Sequence, residues 1–289
     1  MIFIIQLFIF LLGAVLYASY VSLLERKLIA RIQLRVGPDN CGIGGAFQPI
    51  ADALKLFFKR NPFKNHSMQE IFGVSLLFTT ALIQLTLIPN GMLSLKYSLL
   101  WIILCRCFLA FSETLIGVSS KSKYGIIGGS RAYLQTVGSH IPFLLSIATV
   151  MSATKSLELT PIPYGLKILP LAIVFFITML MSGSRTPFDF IEAESELIAG
   201  AYVEYGGILF AMIYLSDYLN LLFISALTAT LFLGGGCLVI LALKAFAIIC
   251  FVILIRSILP RYTQDQMIEI SWTILSPLLL LYIILNLAR

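Results

Sequence analysis

MIFIIQLFIFLLGAVLYASYVSLL, residues 1–24, runs 24 positions without a charge and without the apolar–polar alternation of a half-buried strand. About 20 consecutive apolar residues let a helix cross a bilayer, whereas a spanning strand needs about ten alternating ones. The stretch therefore reads as a transmembrane helix. A cleaved leader would carry its positive charge first; here the bases follow the apolar run, in ERK at 25–27. The remaining sequence has the same character: of 289 residues, 59% are hydrophobic and 12% charged, against about 45–50% and about 25% in soluble domains. That composition excludes an ordinary soluble enzyme and a disordered chain alike. It predicts an all-α polytopic integral membrane protein, with residues 1–289 forming a single membrane domain.

Apolar runs predict eight spans, at about 2–24, 70–93, 97–118, 133–153, 166–183, 201–225, 238–259 and 269–287. The fifth is short and 201–237 leaves room for a broken helix, so a seven-span arrangement stays open. Fourteen Lys and Arg fall in or beside alternate connectors, against four (Lys96, Lys155, Lys167 and Arg289) on the opposite side. The positive-inside rule puts the basic side in the cytoplasm or matrix and both termini across the membrane. The net charge of +6 follows from this topology and implies no nucleic-acid partner. The basic first connector, 25–69, holds more than linker: in IADALKLFFK, Ile50, Ala53, Leu54, Phe57 and Phe58 share an apolar face opposite Asp52, Lys55 and Lys59. Such an amphipathic helix suits either the membrane interface or a neighbouring helix.

The acids concentrate elsewhere. SGSRTPFDFIEAESELIAGAYVEYGG, 182–207, carries Asp189, Glu192, Glu194, Glu196 and Glu204 against a single Arg185. If Pro187 opens a helix, Asp189, Glu192 and Glu196 share one face, Glu194 flanks it, and Glu204 follows two turns on, inside an apolar span that also holds Asp217. Acids so close disfavour one another's ionisation. Ionisable groups kept in a membrane against a cost of several kcal/mol are candidates for a proton path or a polar ligand entrance; a solvated acidic loop at 184–204 is the plainer reading. Arg106 and Glu113, two turns apart, and Lys244 also lie within spans, as structural pairs or snorkelling side chains. The connector 117–140 offers Lys123, Arg131 and Gln135 to an anionic partner or a neighbouring protein, with Gly128 and Gly129 able to turn the backbone. Cys41, Cys105, Cys107, Cys237 and Cys250 are scattered without metal-ligand spacing, and His66 and His140 are far apart, so no metal site is expected. Glycine-rich phosphate loops and serine nucleophile elbows are absent from the sequence.

Four stretches together resemble the quinone-site membrane subunit of respiratory complex I, called subunit 1 in mitochondria and the H subunit in bacteria. They are ERKLIARIQLRVGPDNCGIGGAFQPIADALKLF (25–57), SKSKYGIIGGSRAYLQT (120–136), RTPFDFIEAESELIAGAYVEYGG (185–207) and RSILPRYTQDQM (256–267). The resemblance implies eight membrane helices beneath a peripheral arm, and part of the chamber through which ubiquinone reaches an iron–sulphur cluster. NADH, FMN and iron–sulphur sites then belong to partner subunits, no redox cofactor is held permanently in this chain, and no complete active site lies in it alone. The partners implied are the other membrane-arm subunits, the quinone-site subunits of the peripheral arm, ubiquinone and membrane lipids. By the same resemblance Glu25, Arg26, Arg35, Asp52, Arg256 and Arg261 belong to the quinone chamber, and Asp189, Glu192, Glu194, Glu196, Glu204 and Asp217 to the proton-coupling series.

The sequence departs from the family pattern in places. GSH stands where SYE is usual, leaving His140 at the position of a Glu; Ser182, in MSGSR, stands where an acid is usual; Asp217 replaces a Glu; and KRNP, with Arg60, stands where KE is usual. His140 is the candidate substitute relay, because imidazole titrates near neutral pH. The connector LFLGGGCLVI is also short for the family. Three other readings compete: the homologous subunit of a membrane-bound hydrogenase-type complex, an independent cation-coupled transporter, and a structural anchor whose acids are binding contacts only. A transporter predicts inverted repeats, and none is visible. Twenty-one Phe residues and a trimmed chain point to the mitochondrial inner membrane, with the bacterial cytoplasmic membrane as the alternative.

Overall fold

A computed structural model describes residues 2–59, 66–88, 96–162, 168–191 and 194–287. The described residues are helical and contain no strand. Among them eleven α-helices follow one another: α1 (Ile2–Ile32), α2 (Gln48–Phe58), α3 (Met68–Thr86), α4 (Ser98–Ser119), α5 (Lys123–Thr154), α6 (Ile168–Ser182), α7 (Glu194–Leu197), α8 (Gly207–Phe232), α9 (Leu238–Ile258), α10 (Gln264–Glu269) and α11 (Ser276–Leu287). Six of these (α1, α3, α4, α5, α8 and α9) are long and apolar enough to cross a membrane, and a seventh such helix is formed by α10 and α11, joined through a π-helical turn at Ile270–Leu275. The fifth predicted span is α6, which is shorter and follows residues 163–167, outside the described part. This is a multi-pass all-α membrane protein.

α5 lies at the centre, against α4, α6, α10 and α11, while α3 bridges α4 to α8 and α1 leans on α8 and α9. Phe143 and Ile147 of α5, Phe175 and Met179 of α6, and Leu219 and Phe223 of α8 are buried in the middle. Equally apolar side chains such as Phe111, Leu243 and Ile284 point outward. In a bilayer both directions are apolar, so close approach between small residues, rather than hydrophobicity, decides which faces meet. A Cβ on Gly117 of α4 would lie 2.3 Å from the Gly129 Cα of α5, and one on Gly128 would lie 2.4 Å from the Ala201 nitrogen. Gly128 and Gly129 therefore turn no backbone, contrary to the sequence reading. They lie inside α5, which begins ten residues before the predicted span, and they let two backbones touch.

Two further boundaries differ from expectation. α1 continues through Glu25–Lys27 to Ile32, because helical hydrogen bonding persists where apolarity stops; Glu25 and Arg26 thus belong to a helix and not to the first connector. The amphipathic segment is helical as expected, as α2, with Pro49 in its first turn and Ile50, Leu54, Phe57 and Phe58 exposed. The span predicted at 201–225 is an unbroken helix starting only at Gly207.

Candidate functional site

The acidic stretch is not a continuous helix. α6 stops at Ser182, the chain turns through Gly183 and Ser184, and Thr186–Pro187 is a cis peptide. The helix has already ended at Ser182, and a proline disfavours the α conformation in the residue before it, so Pro187 lies in the turn and opens no helix. Phe188, Phe190 and Ile191 are buried and anchor the segment. Tyr262 stacks on Phe188 at 5.6 Å, and its backbone N–H donates to the Pro187 carbonyl at 3.1 Å. Asp189 and Glu196 therefore do not share a helical face. Glu192 lies outside the described residues, and Glu194 opens α7 without a described side chain.

Asp189 is buried and lies 3.4 Å from Arg261. Glu196 is exposed and paired with Arg131 of α5, whose guanidinium holds its carboxyl below the usual carboxylate range. Glu204 lies in the loop before α8, not inside a span, and accepts from the Lys121 N–H at 2.9 Å. Next to it, Tyr205 donates to the Ile116 carbonyl at 3.0 Å and stacks on His66, itself paired with Glu70. Burial, with the Glu70 and Glu204 charges nearby, pushes the Tyr205 phenol up to about 12.

Distant parts of the chain meet at Glu25. Its carboxylate receives Arg256 of α9 at 2.5 Å and the Tyr218 hydroxyl of α8 at 2.8 Å. The Arg185 guanidinium covers the Tyr218 ring at 4.8 Å. Arg185 and Arg256 border a polar cavity of about 20 Å³ together with Asp189, Asp217 and Ser184. On the outer side, Arg26 pairs with Asp52 of α2 at 2.8 Å, tying the amphipathic helix to α1. Arg35 is the exception among the chamber candidates: it stands exposed in the turn after α1, and its side chain bonds only Gln33, at 2.8 Å, among the described residues.

A second polar cavity, of about 10 Å³, holds His140, Arg106, Glu113, Ser182 and again Ser184. His140 and Ser182, two of the positions noted above as departures from the resembled pattern, thus border one space. Arg106 donates to the Ser182 carbonyl and, at 2.6 Å, to Asn220 Oδ1, which also receives Gln84 Nε2 at 3.4 Å. Gln135 donates to the carbonyls of Met181 and Phe188 and to the Ser184 hydroxyl, so it braces the turn and is not available to a partner. Arg185 and Tyr218 are candidates that the sequence reading counted as a lone charge or passed over, and Arg106 and Glu113 are ones it took as a structural pair or snorkelling side chains. For Arg106 and Glu113, their placement inside an apolar helix was the available signal. Groups of acids, His and Cys able to hold a metal are absent among the described residues.

A multi-helix membrane protein with a buried polar seam is the class these features define. The chain belongs to the NADH dehydrogenase family, whose model matches residues 5–287. Similar proteins include the H subunit of the NADH-quinone oxidoreductase of Ehrlichia chaffeensis, 33% identical over 95% of this chain and 86% of that one. The H subunit of Rickettsia canadensis is 34% identical over 94% and 88%, and that of Neorickettsia sennetsu 33% over 93% and 91%.

Proposed function

We propose that the chain is the membrane subunit of an NADH–quinone oxidoreductase, that it forms part of the quinone chamber, and that it passes quinone chemistry to proton movement. Family membership and H-subunit relatives matched over nearly their whole length support the first clause. One observation carries the rest: Ser184 borders both polar cavities, so the Glu25–Arg256–Asp189 cluster and the Glu113–His140–Arg106 cluster adjoin at a single turn. Glu25, Arg26, Asp52, Arg256 and Arg261 gather at the basic ends of α1 and α9 as chamber wall. Arg35 enters the chamber only if a partner subunit covers its exposed turn.

From that end, Asp189 and Asp217 face Arg185 and Arg256, where a change of charge on quinone reduction would alter their pairing. Ser184 and a water beside it can hand a proton to the second cavity, where His140 substitutes for the missing carboxylate. Glu192, Glu194, Glu196 and Glu204 then serve as the acidic approach on the basic side. Ubiquinone is the substrate; NADH, FMN and iron–sulphur clusters lie in partner subunits. The membrane is an energy-conserving one with the basic connectors inside, and the bacterial relatives favour the cytoplasmic membrane.

A brace is the second reading, favoured by Asp189 and Glu196 each having an arginine partner. Purifying the chain from its native membranes tests the proposal: it should bring down an assembly that oxidises NADH and reduces quinone. A solitary, stable protein would contradict it. Asp189→Asn then separates coupling from bracing, because loss of quinone-driven pumping at full assembly belongs to coupling alone.

A further inference from the structure

An apolar recess of about 290 Å³ opens between α1, the end of α3, α8 and the first turns of α9. It lies in the half of the molecule away from the basic connectors and shares no lining residue with either polar cavity. Small residues hollow it out: Gly13 and Ala14 of α1, Ala226 of α8, and Ala242 and Ala245 of α9. A Cβ at Gly13 would meet nothing within 4 Å, so the space is open where two helices elsewhere in this fold touch. Ile9 and Leu238, 64% and 50% exposed, stand at its outer end and face the surroundings.

We infer that this recess binds one acyl chain of a phospholipid from the leaflet opposite the basic connectors. Its length decides the orientation. From Ile9 to Tyr17 along α1 is eight residues, about 12 Å at the helical rise, and a leaflet's hydrocarbon is about 15 Å deep. The groove therefore follows an acyl chain's own direction over most of its leaflet. Its width decides the class of occupant. A helix with side chains is about 10–12 Å across, wider than a recess hollowed out by single small residues at Gly13, Ala14, Ala226, Ala242 and Ala245. At this depth in a bilayer, hydrocarbon chains are the remaining occupant. Filling it restores packing that α1, resting mainly on α2, α8 and α9, otherwise lacks.

The assembled complex, reconstituted with phosphatidylcholine carrying a mid-chain diazirine, then extracted and washed in detergent before irradiation, tests this. Peptides containing 9–17 and 238–245 should carry the label, and Gly13→Phe and Ala242→Phe should each lower it at least about five-fold. Leu12→Phe, at a 48% exposed neighbour, should leave it unchanged. Absent wild-type labelling, or labelling unmoved in both filled variants, would overturn the site. So would cross-linking of Gly13→Cys to a neighbouring polypeptide, or labelling by a diazirine-bearing isoprenoid quinone in place of the phospholipid.

Discussion

Glu25 and Arg256 lie 231 residues apart in sequence and 2.5 Å apart in space, joining α1 to α9 at the basic end of the bundle. Glu25 is almost fully enclosed, whereas the Arg256 side chain is about one-third exposed. Removing one partner of a buried pair leaves the other charge uncompensated, at about 3–5 kcal/mol; the exposure of Arg256 sets the expectation at about 3 kcal/mol, the lower end of that range. Glu25→Gln and Arg256→Met should each lower the thermal stability of the complex and its quinone reductase rate. The double variant should recover stability but not rate. Recovery of both would assign the pair to bracing.

The Glu196–Arg131 contact ties α7 to α5 on the basic face. With its carboxyl held below the ordinary carboxylate range, the pair stabilises the loop above that range. It loses the contribution as pH falls through the lowered value. Hydrogen exchange of residues 196–202 should therefore be independent of this pair's protonation from neutral down to mildly acidic pH, and protection should fall only in stronger acid. Arg131→Gln should remove most of that acid-dependent loss and lower protection slightly already at neutral pH. The effect is small, because Glu196 is exposed and screened by solvent.

Gly129 meets the Gly117 backbone with no room for a side chain. Gly129→Val forces α4 from α5, and overpacking of this kind costs about 1–3 kcal/mol or more where backbone must yield. Less assembled complex in the membrane, measured by native electrophoresis, is the expected result. Gly206→Ala, where a Cβ meets nothing within 4 Å, is the matched control and should assemble normally.

Composition and apolar runs alone made the membrane helices legible, because their length and character are imposed by the bilayer. α5 shows where that reading failed: Lys123, Ser130 and Arg131 looked like connector, yet the helix includes them, since the glycines among them serve packing. The acidic site was legible in composition but not in shape. Asp189 and Glu196 have helical spacing in the sequence, and only the Gly183–Pro187 turn, fixed by tertiary contacts from Gln135 and Tyr262, sends them to different partners. Tyr218 gave no signal at all, since a tyrosine in an apolar helix is ordinary until its hydroxyl meets Glu25.

His140 and Ser182 border one cavity with Glu113, and the proposed route predicts that they act together. His140→Gln keeps a hydrogen-bonding side chain but cannot carry a proton, and should lower protons pumped per electron. His140→Glu should retain more of it. Equal pumping in wild type and His140→Gln would remove His140 from the path.

The most direct measurement is protons translocated per electron passed from NADH to quinone in Glu113→Gln, read in sealed membranes, with NADH oxidation by an artificial acceptor that bypasses quinone as the control. A working seam predicts normal artificial-acceptor rates, normal assembly and a reduced proton-to-electron ratio, partly restored in Glu113→Asp. A ratio equal to wild type in the assembled Glu113→Gln complex would contradict a proton route through these cavities.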